Sequence, residues 1–212
     1  MSSFLWTADQ TIVMTGDSIT DCGRREDPIG LGHGYVRQVV HLVRARYPER
    51  LLNVINTGIS GNCTDDLLGR WQTDVLAYKP DWVTVMIGIN DLHRDLDGVK
   101  QLPPPVYEAN LRQLSQQVLD SGARLVLIDP FYMLLSMNAD ARQSEVLVRL
   151  EDYIDAVDAV ASDLGALHVR TQAVWDAVLP AYPCQLWGNE PVHPNADGHL
   201  VLASALLEVL GY

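Results

Sequence analysis

Trp82-Val-Thr-Val-Met-Ile87 is an almost entirely apolar run of strand length, and it decides the fold class. A strand with one face in water alternates apolar and polar residues. A near-continuous apolar strand is typical of a parallel sheet with helices on both faces. Residues 82–87 therefore predict a buried strand of an α/β protein.

Further runs of strand length lie on either side of it, separated by segments with helical apolar spacing. The other strand candidates are Thr11–Met14, Leu52–Ile55, Arg124–Ile128 and Ala166–Val169. The helix candidates are Tyr35–Tyr47, Thr64–Ala77, Val106–Ser121, Ala139–Leu164, Thr171–Leu179 and Asn195–Leu210. This alternation predicts a three-layer α/β/α sandwich with a five-stranded parallel sheet.

Length and charge narrow the class of protein further. The chain has 212 residues, 48% of them hydrophobic, and no linker or repeat, so we expect one domain spanning residues 1–212. Its formal charge of −12 is opposite to the basic surface that binds nucleic acid or an anionic membrane. A neutral small-molecule substrate fits this charge better.

The sequence shows no targeting or cross-linking signal. It begins without the basic and apolar regions of a signal peptide and contains no apolar stretch of membrane-spanning length, so we expect a cytoplasmic protein. Cys22, Cys63 and Cys184 are far apart, which favours free thiols over a disulfide or a zinc site. No histidine pair has metal-ligand spacing, and we expect neither a metal nor a cofactor.

Polar blocks follow the predicted strands. In a parallel sheet the carboxyl ends of the strands form the usual ligand site. The blocks are Gly16-Asp17-Ser18-Ile19, Asn56–Asn62 and Gly88-Ile89-Asn90-Asp91, with Glu190-Pro191-Val192-His193 near the C-terminus. They supply a hydroxyl, backbone N–H groups, an amide and an imidazole, which are the groups that nucleophilic catalysis needs.

In their order and spacing these blocks resemble the GDSL/SGNH hydrolase family, over roughly residues 11–205. The segments Gly16–Arg24, Asn56–Asn62 and Lys79–Asp91 are most similar to intracellular acetylxylan esterases of that family. The resemblance implies the flavodoxin-like SGNH fold and a serine esterase that removes short acyl groups, above all acetyl, from sugars such as xylo-oligosaccharides. It also implies a homo-oligomer.

The resemblance assigns roles that suit acyl transfer. Ser18 is the expected nucleophile and His193 the expected general base. The backbone N–H groups of Ser18 and Gly61 and the amide of Asn90 are the expected oxyanion hole. Each has a plainer interpretation: Ser18 as a helix cap, Gly61 and Asn90 as turn residues, and His193 as a surface histidine. Their joint occurrence favours catalysis.

The last block departs from the family pattern, because Glu190 stands where the family has an aspartate. We expect Glu190 to be the triad acid, with a backbone carbonyl as the alternative partner of the imidazole. Asp17 and Asp91 are expected to be structural, holding loops through side-chain to backbone hydrogen bonds.

Two aromatic residues are expected at the substrate. Trp187 lies close to His193 in the sequence, and Tyr132 follows the fourth strand, although aromatic residues of this kind are often plain core. Two other functions stay open. A thioesterase or lysophospholipase would need an apolar groove near Leu134, Leu135 and Met137. A carbohydrate-binding domain that had lost catalysis would explain Glu190 as decay.

Overall fold

A five-stranded, all-parallel sheet forms the centre of the computed structural model, which describes residues 4–212. Its strands are β1 (Thr11–Gly16), β2 (Asn53–Asn56), β3 (Trp82–Met86), β4 (Arg124–Ile128) and β5 (Leu167–Val169). Their spatial order is β2-β1-β3-β4-β5. This is the flavodoxin-like order, in which the chain reverses direction across the sheet between β1 and β3. The predicted α/β sandwich is confirmed.

Eight helices surround the sheet in the described part of the chain. They are α1 (Ser18–Asp21), α2 (Tyr35–Arg46), α3 (Thr64–Asp74), α4 (Ile89–Leu96), α5 (Pro104–Asp120), α6 (Ala141–Leu164), α7 (Thr171–Val178) and α8 (Ala196–Val209). No helix among these residues is long and apolar enough to cross a membrane. The three cysteines are free, as predicted.

Local sequence fixes the ends of the long helices. The carboxylate of Asp140 accepts the backbone N–H of Gln143, whose side chain accepts the N–H of Asp140, a reciprocal capping box that starts α6. Gly165 ends the same helix in the left-handed region at φ 66°. The α5 helix begins with Pro104 in its first turn, two residues before the predicted start, because proline needs no N–H partner there.

Two helices were not predicted. The α1 helix has only four residues, too few for an apolar period. The α4 helix begins at Ile89, inside a block interpreted as a loop, and its apolar positions Ile89 and Leu92 are buried against the core. Both helices begin directly after a strand of the sheet, so they carry the residues at the carboxyl edge.

Candidate active site

Ser18 is the first residue of α1, immediately beyond β1. Gly16 permits the sharp exit from the strand, because a Cβ there would lie 2.1 Å from the carbonyl oxygen of Met86. The carboxylate of Asp17 accepts the backbone N–H of Ile19 at 3.0 Å and so caps the helix. The expected alternative, a capping role for Ser18, is therefore wrong, and the Ser18 hydroxyl is left for another partner.

That partner is His193. The distance from Ser18 Oγ to His193 Nε2 is 2.8 Å, although 175 positions separate the two residues. His193 lies just before α8, whose cap Asn195 donates its side-chain N–H to the carbonyl of Leu186 at 2.9 Å. This bond joins the loop that carries His193 to the segment preceding it, so the imidazole is held against the sheet edge.

Glu190 holds the other side of the ring. Its Oε1 lies 2.5 Å from His193 Nδ1 and accepts the His193 backbone N–H at 2.7 Å, while Oε2 accepts the N–H of Val192 at 2.8 Å. Burial alone would raise the pKa of Glu190, but these hydrogen bonds outweigh it and hold the pKa below its ordinary value. A charged Glu190 fixes the tautomer with hydrogen on Nδ1, which leaves Nε2 to accept from Ser18.

The same contact acts on the imidazole. Its hydrogen bond to Glu190 raises the pKa of His193 above the ordinary histidine value, against the opposing effect of burial. The Glu190 and Asp17 charges raise the pKa further. The side chains of His193 and Glu190 stay 58% and 46% exposed, so the pair is open to solvent and to substrate.

The three oxyanion candidates lie on consecutive strand exits. Gly61, at φ 79°, is in the loop after β2, and Asn90 is on the first turn of α4. The backbone N–H groups of Ser18 and Gly61 donate to no protein group within residues 4–212. Asn90 Nδ2 lies 3.3 Å from Asp17 Oδ2 and 3.2 Å from the Asn62 carbonyl, both long for hydrogen bonds. The two backbone N–H groups are therefore available to a negative oxygen, whereas the Asn90 amide must exchange one of its two long hydrogen bonds for it.

The match to known proteins covers all of the candidate active-site residues described above. A model of the GDSL-like lipase/acylhydrolase family matches residues 14–201. The chain belongs to this family. It is accordingly an ester hydrolase of the GDSL/SGNH type.

Relatives agree in sequence and in structure. The hydrolase is 40% identical to an acetylxylan esterase of Geobacillus stearothermophilus, over 96% of this chain and 94% of that enzyme. A crystal structure of the Geobacillus enzyme superposes with a TM-score of 0.89 at 37% identity, covering 98% of this chain and 97% of that one. An α/β hydrolase from the metagenome of Lake Arreo, Spain, has 34% identity, a TM-score of 0.89 and 98% coverage of both chains.

Three residues of the Geobacillus enzyme have been replaced in its catalytic mutants. Structures described as catalytic mutants of that enzyme replace a serine, an aspartate and a histidine by alanine. In the present chain Ser18, Glu190 and His193 make the hydrogen-bonded series, with a glutamate as its carboxylate.

Asp17 and Asp91, which adjoin Ser18 and Asn90 in the sequence, are both buried carboxylates. Burial raises the pKa of Asp17 to about 7, opposed by the Ile19 N–H and increased by the charge of Asp91. Burial likewise raises the pKa of Asp91 to about 6, against its hydrogen bonds from Thr64. Asp17 caps α1, while Asp91 accepts the Thr64 backbone N–H at 2.9 Å and so joins α4 to α3. Both contacts are of the side-chain to backbone kind expected from the sequence.

Arg94 is a neighbour of the donors that sequence reasoning missed. Its guanidinium donates to the Gly61 carbonyl at 2.5 Å and lies 3.8 Å from the Asp66 carboxylate. This bond holds the backbone of the loop that carries the Gly61 N–H. The sequence feature that could have indicated Arg94 is its position four residues after Asn90. That spacing places both residues on one face of α4, but only once the helix is known.

Tyr132 and Trp187 lie in different surroundings. Tyr132 is only 6% exposed, and its ring meets the edge of His93 at a centroid distance of 6.2 Å. Trp187 is half-buried, packs against Trp175 and Tyr182, and donates its indole N–H to the Tyr182 carbonyl at 2.9 Å. Tyr132 is thus buried beside His93, whereas Trp187 packs between Trp175 of α7 and Tyr182 of the following segment. The contact of both residues with the substrate stays a prediction.

The described residues include one group with metal-ligand geometry, formed by Cys63, Asp65 and Asp66. The ammonium group of Lys100 lies 3.0 Å from both carboxylates and offsets one of their two negative charges. Burial raises the pKa of the Cys63 thiol to about 12, so its thiolate form is disfavoured. This group suits a salt bridge better than a metal ion.

Proposed function

We propose that this hydrolase removes acetyl groups from sugars such as xylo-oligosaccharides, through an acyl-enzyme on Ser18. The observation that carries the proposal is the continuous series Ser18 Oγ, His193 Nε2, His193 Nδ1 and Glu190 Oε1, with hydrogen-bond distances of 2.8 Å and 2.5 Å. A hydroxyl, an oriented base and a carboxylate in this order are the parts of a serine hydrolase. The acetylxylan esterase relative supports the acetyl-sugar substrate.

In the first half of the reaction, Ser18 Oγ attacks the ester carbonyl as its proton passes to His193 Nε2. The carbonyl oxygen becomes an oxyanion and is met by the N–H groups of Ser18 and Gly61 and the amide of Asn90. Collapse of this intermediate expels the sugar alkoxide, which takes the proton from His193. The acetyl group then remains on Ser18.

In the second half, His193 accepts a proton from water as that water attacks the acetyl carbonyl. The oxyanion forms again at the same donors, and its collapse breaks the bond to Ser18 Oγ, which takes the proton back from His193 as acetic acid leaves. Glu190 stays charged throughout and stabilises the imidazolium in both halves. Every step uses residues of the chain and one water.

A longer acyl group is the second candidate, favoured by a cavity of about 640 Å³ whose wall mixes aliphatic side chains with charged ones such as Asp129 and Arg170. Its walls include Leu134, Leu135, Leu147 and Ile154, near the groove that a thioesterase or lysophospholipase would need. Met137, expected in that groove, is instead 82% exposed and lies outside the cavity wall. The triad residues do not line this cavity either, so acetyl remains the favoured acyl group.

The test compares p-nitrophenyl acetate, butyrate and octanoate with peracetylated xylobiose. We expect activity concentrated on the acetates and a loss of about 10⁶-fold in kcat in Ser18→Ala. Ser204→Ala changes an exposed serine on α8 and is the matched control. A preference for octanoate would transfer the assignment to lipid or thioester substrates. Equal activity of the wild type and Ser18→Ala would refute the nucleophile.

Location and assembly belong to the same proposal. We propose a cytoplasmic homo-oligomer acting on small acetylated oligosaccharides, with no nucleic acid or membrane partner. The net charge of −12 supports the exclusion of both anionic partners. Light scattering of the purified chain and fractionation of its native cells test assembly and location separately.

A further inference from the structure

A second cavity begins at the triad carboxylate. It measures about 320 Å³ and lies between residues 134–143 on one side and residues 179–191 on the other. Glu190 and Pro191 form its end nearest to the triad. Glu190 binds His193, and His193 binds Ser18, so the Glu190 side chain and the imidazole ring lie between this groove and the nucleophile.

Side-chain amides give this groove its chemistry. Asn138, Gln143, Gln185 and Asn189 all contribute to its wall. The amides of Asn138, Gln185 and Asn189 make no hydrogen bond to another part of the described chain. Each amide offers both a donor and an acceptor, so a ligand with adjacent hydroxyl groups could use both.

The walls of the groove are held by bonds to the rest of the fold. The Met133 N–H donates to the Pro191 carbonyl at 2.8 Å and ties the two sides together. The side chain of Gln143 is fixed by the Asp140 N–H, which it accepts at 3.0 Å. Asn195 donates its backbone N–H to the Trp187 carbonyl at 2.6 Å and anchors the other wall to α8. A preformed groove loses less entropy on binding.

The role of His193 in the reaction sets where the leaving sugar lies relative to this groove. In acyl transfer the base that deprotonates the nucleophile returns that proton to the leaving alcohol. The leaving sugar must therefore lie beside His193 Nε2. A chain of sugars attached to it can pass over the imidazole edge toward Glu190, where the groove opens.

We propose that the amide-lined groove beside Glu190 is a subsite for a neutral sugar residue joined to the one that carries the acetyl group. The inference rests on the proposed function and makes an oligosaccharide, not a free monosaccharide, the preferred substrate. The Glu190 carboxylate at the groove and the net charge of −12 favour neutral sugars over uronic acids.

The experiment measures kcat/KM on acetylated methyl xyloside, xylobiose and xylotriose for wild type, Asn138→Ala and Gln185→Ala. Each variant removes one amide, and a hydrogen bond is worth about 0.5–1.5 kcal/mol. We expect each to reduce the ratio of xylotriose to methyl xyloside activity by about three- to tenfold. Gln113→Ala, an exposed amide on α5 outside the groove, should keep the wild-type ratio.

A second readout does not depend on sugar acetates being substrates. Acetate-free xylotriose should inhibit hydrolysis of p-nitrophenyl acetate by the wild type, and its inhibition constant should rise about three- to tenfold in Gln185→Ala. Inhibition without sugar deacetylation would refute the proposed function and keep the subsite. The subsite would be refuted, and the function kept, if the enzyme deacetylated sugars equally well at every chain length. In that case xylotriose would not inhibit, and Asn138→Ala and Gln185→Ala would behave as the wild type.

Discussion

Glu190 and His193 are joined twice through one oxygen: Glu190 Oε1 accepts both the ring Nδ1–H and the backbone N–H of His193, at 2.5 Å and 2.7 Å. The other oxygen binds the N–H of Val192. A glutamate side chain is one methylene longer than aspartate, and here the intervening turn folds back onto it. The two backbone N–H groups thus hold the carboxylate in the position from which it binds the imidazole.

Glu190→Gln should lower kcat strongly while leaving KM nearly unchanged. The amide keeps the size of the side chain but removes the charge that stabilises the imidazolium, and changing the corresponding carboxylate to an amide costs about 10⁴-fold in serine proteases. We expect a loss of about 10²–10⁴-fold in kcat. Steady-state kinetics on p-nitrophenyl acetate measures it.

Glu151→Gln is the matched control, because Glu151 is an exposed glutamate on α6 outside the triad. It should behave as wild type. Full activity in Glu190→Gln would mean that the backbone, not the carboxylate, holds the imidazole, which was the alternative left open by the sequence.

The pH profile should carry the signature of the same contact. Catalysis needs neutral His193, and hydrogen bonding to Glu190 raises its pKa. The acid limb of kcat/KM should therefore have its midpoint above pH 6.5, the ordinary histidine value. In Glu190→Gln the midpoint should move to lower pH as the stabilising charge is lost. An unchanged midpoint would exclude Glu190 as the cause.

Asn90→Ala should test the oxyanion donor. Removing one such donor typically costs about 10²–10³-fold in kcat. Because Asn90 also bonds to Asp17 and to the Asn62 carbonyl, circular dichroism and thermal unfolding must accompany the kinetics. Asn53→Ala, at the start of β2 and the opposite end of the sheet, is the control. A kcat loss below about threefold in a folded variant would remove Asn90 from the donors proposed here.

The sequence predicted the sheet well because its strands are nearly continuous apolar runs, as Trp82–Met86 illustrates. The sequence placed Ser18 at a strand exit, but it paired Ser18 with His193 only through the resemblance to the family, because His193 lies on the loop before α8 and follows no strand directly. The α4 helix was missed because its first residues have the composition of a turn. The Arg94 contact to Gly61 depends on that helix, and the amide groove depends on how two loops pair, which no local pattern encodes.

His199 is a second buried histidine, and its protonation should affect stability. It lies on α8, is 4% exposed, accepts the Tyr35 backbone N–H on Nδ1 at 3.2 Å, and has Nε2 at 3.4 Å from Cys22 Sγ. Burial, helped by the charge of His193, lowers the pKa of His199 from 6.5 to about 4. The unfolded chain therefore binds more protons than the folded one between these values, and the stabilisation is lost as pH falls.

The pKa difference of His199 corresponds to about 3 kcal/mol between pH 7 and pH 4. Glutamine does not titrate, so the gap in the free energy of unfolding between wild type and His199→Gln should narrow by about this amount over that range. Urea unfolding at both pH values measures it. Asp17 and Asp91, whose raised pKa values give the opposite slope, are present in both proteins and cancel in the comparison. A gap that stays constant with pH would show that His199 titrates alike in the folded and unfolded chain.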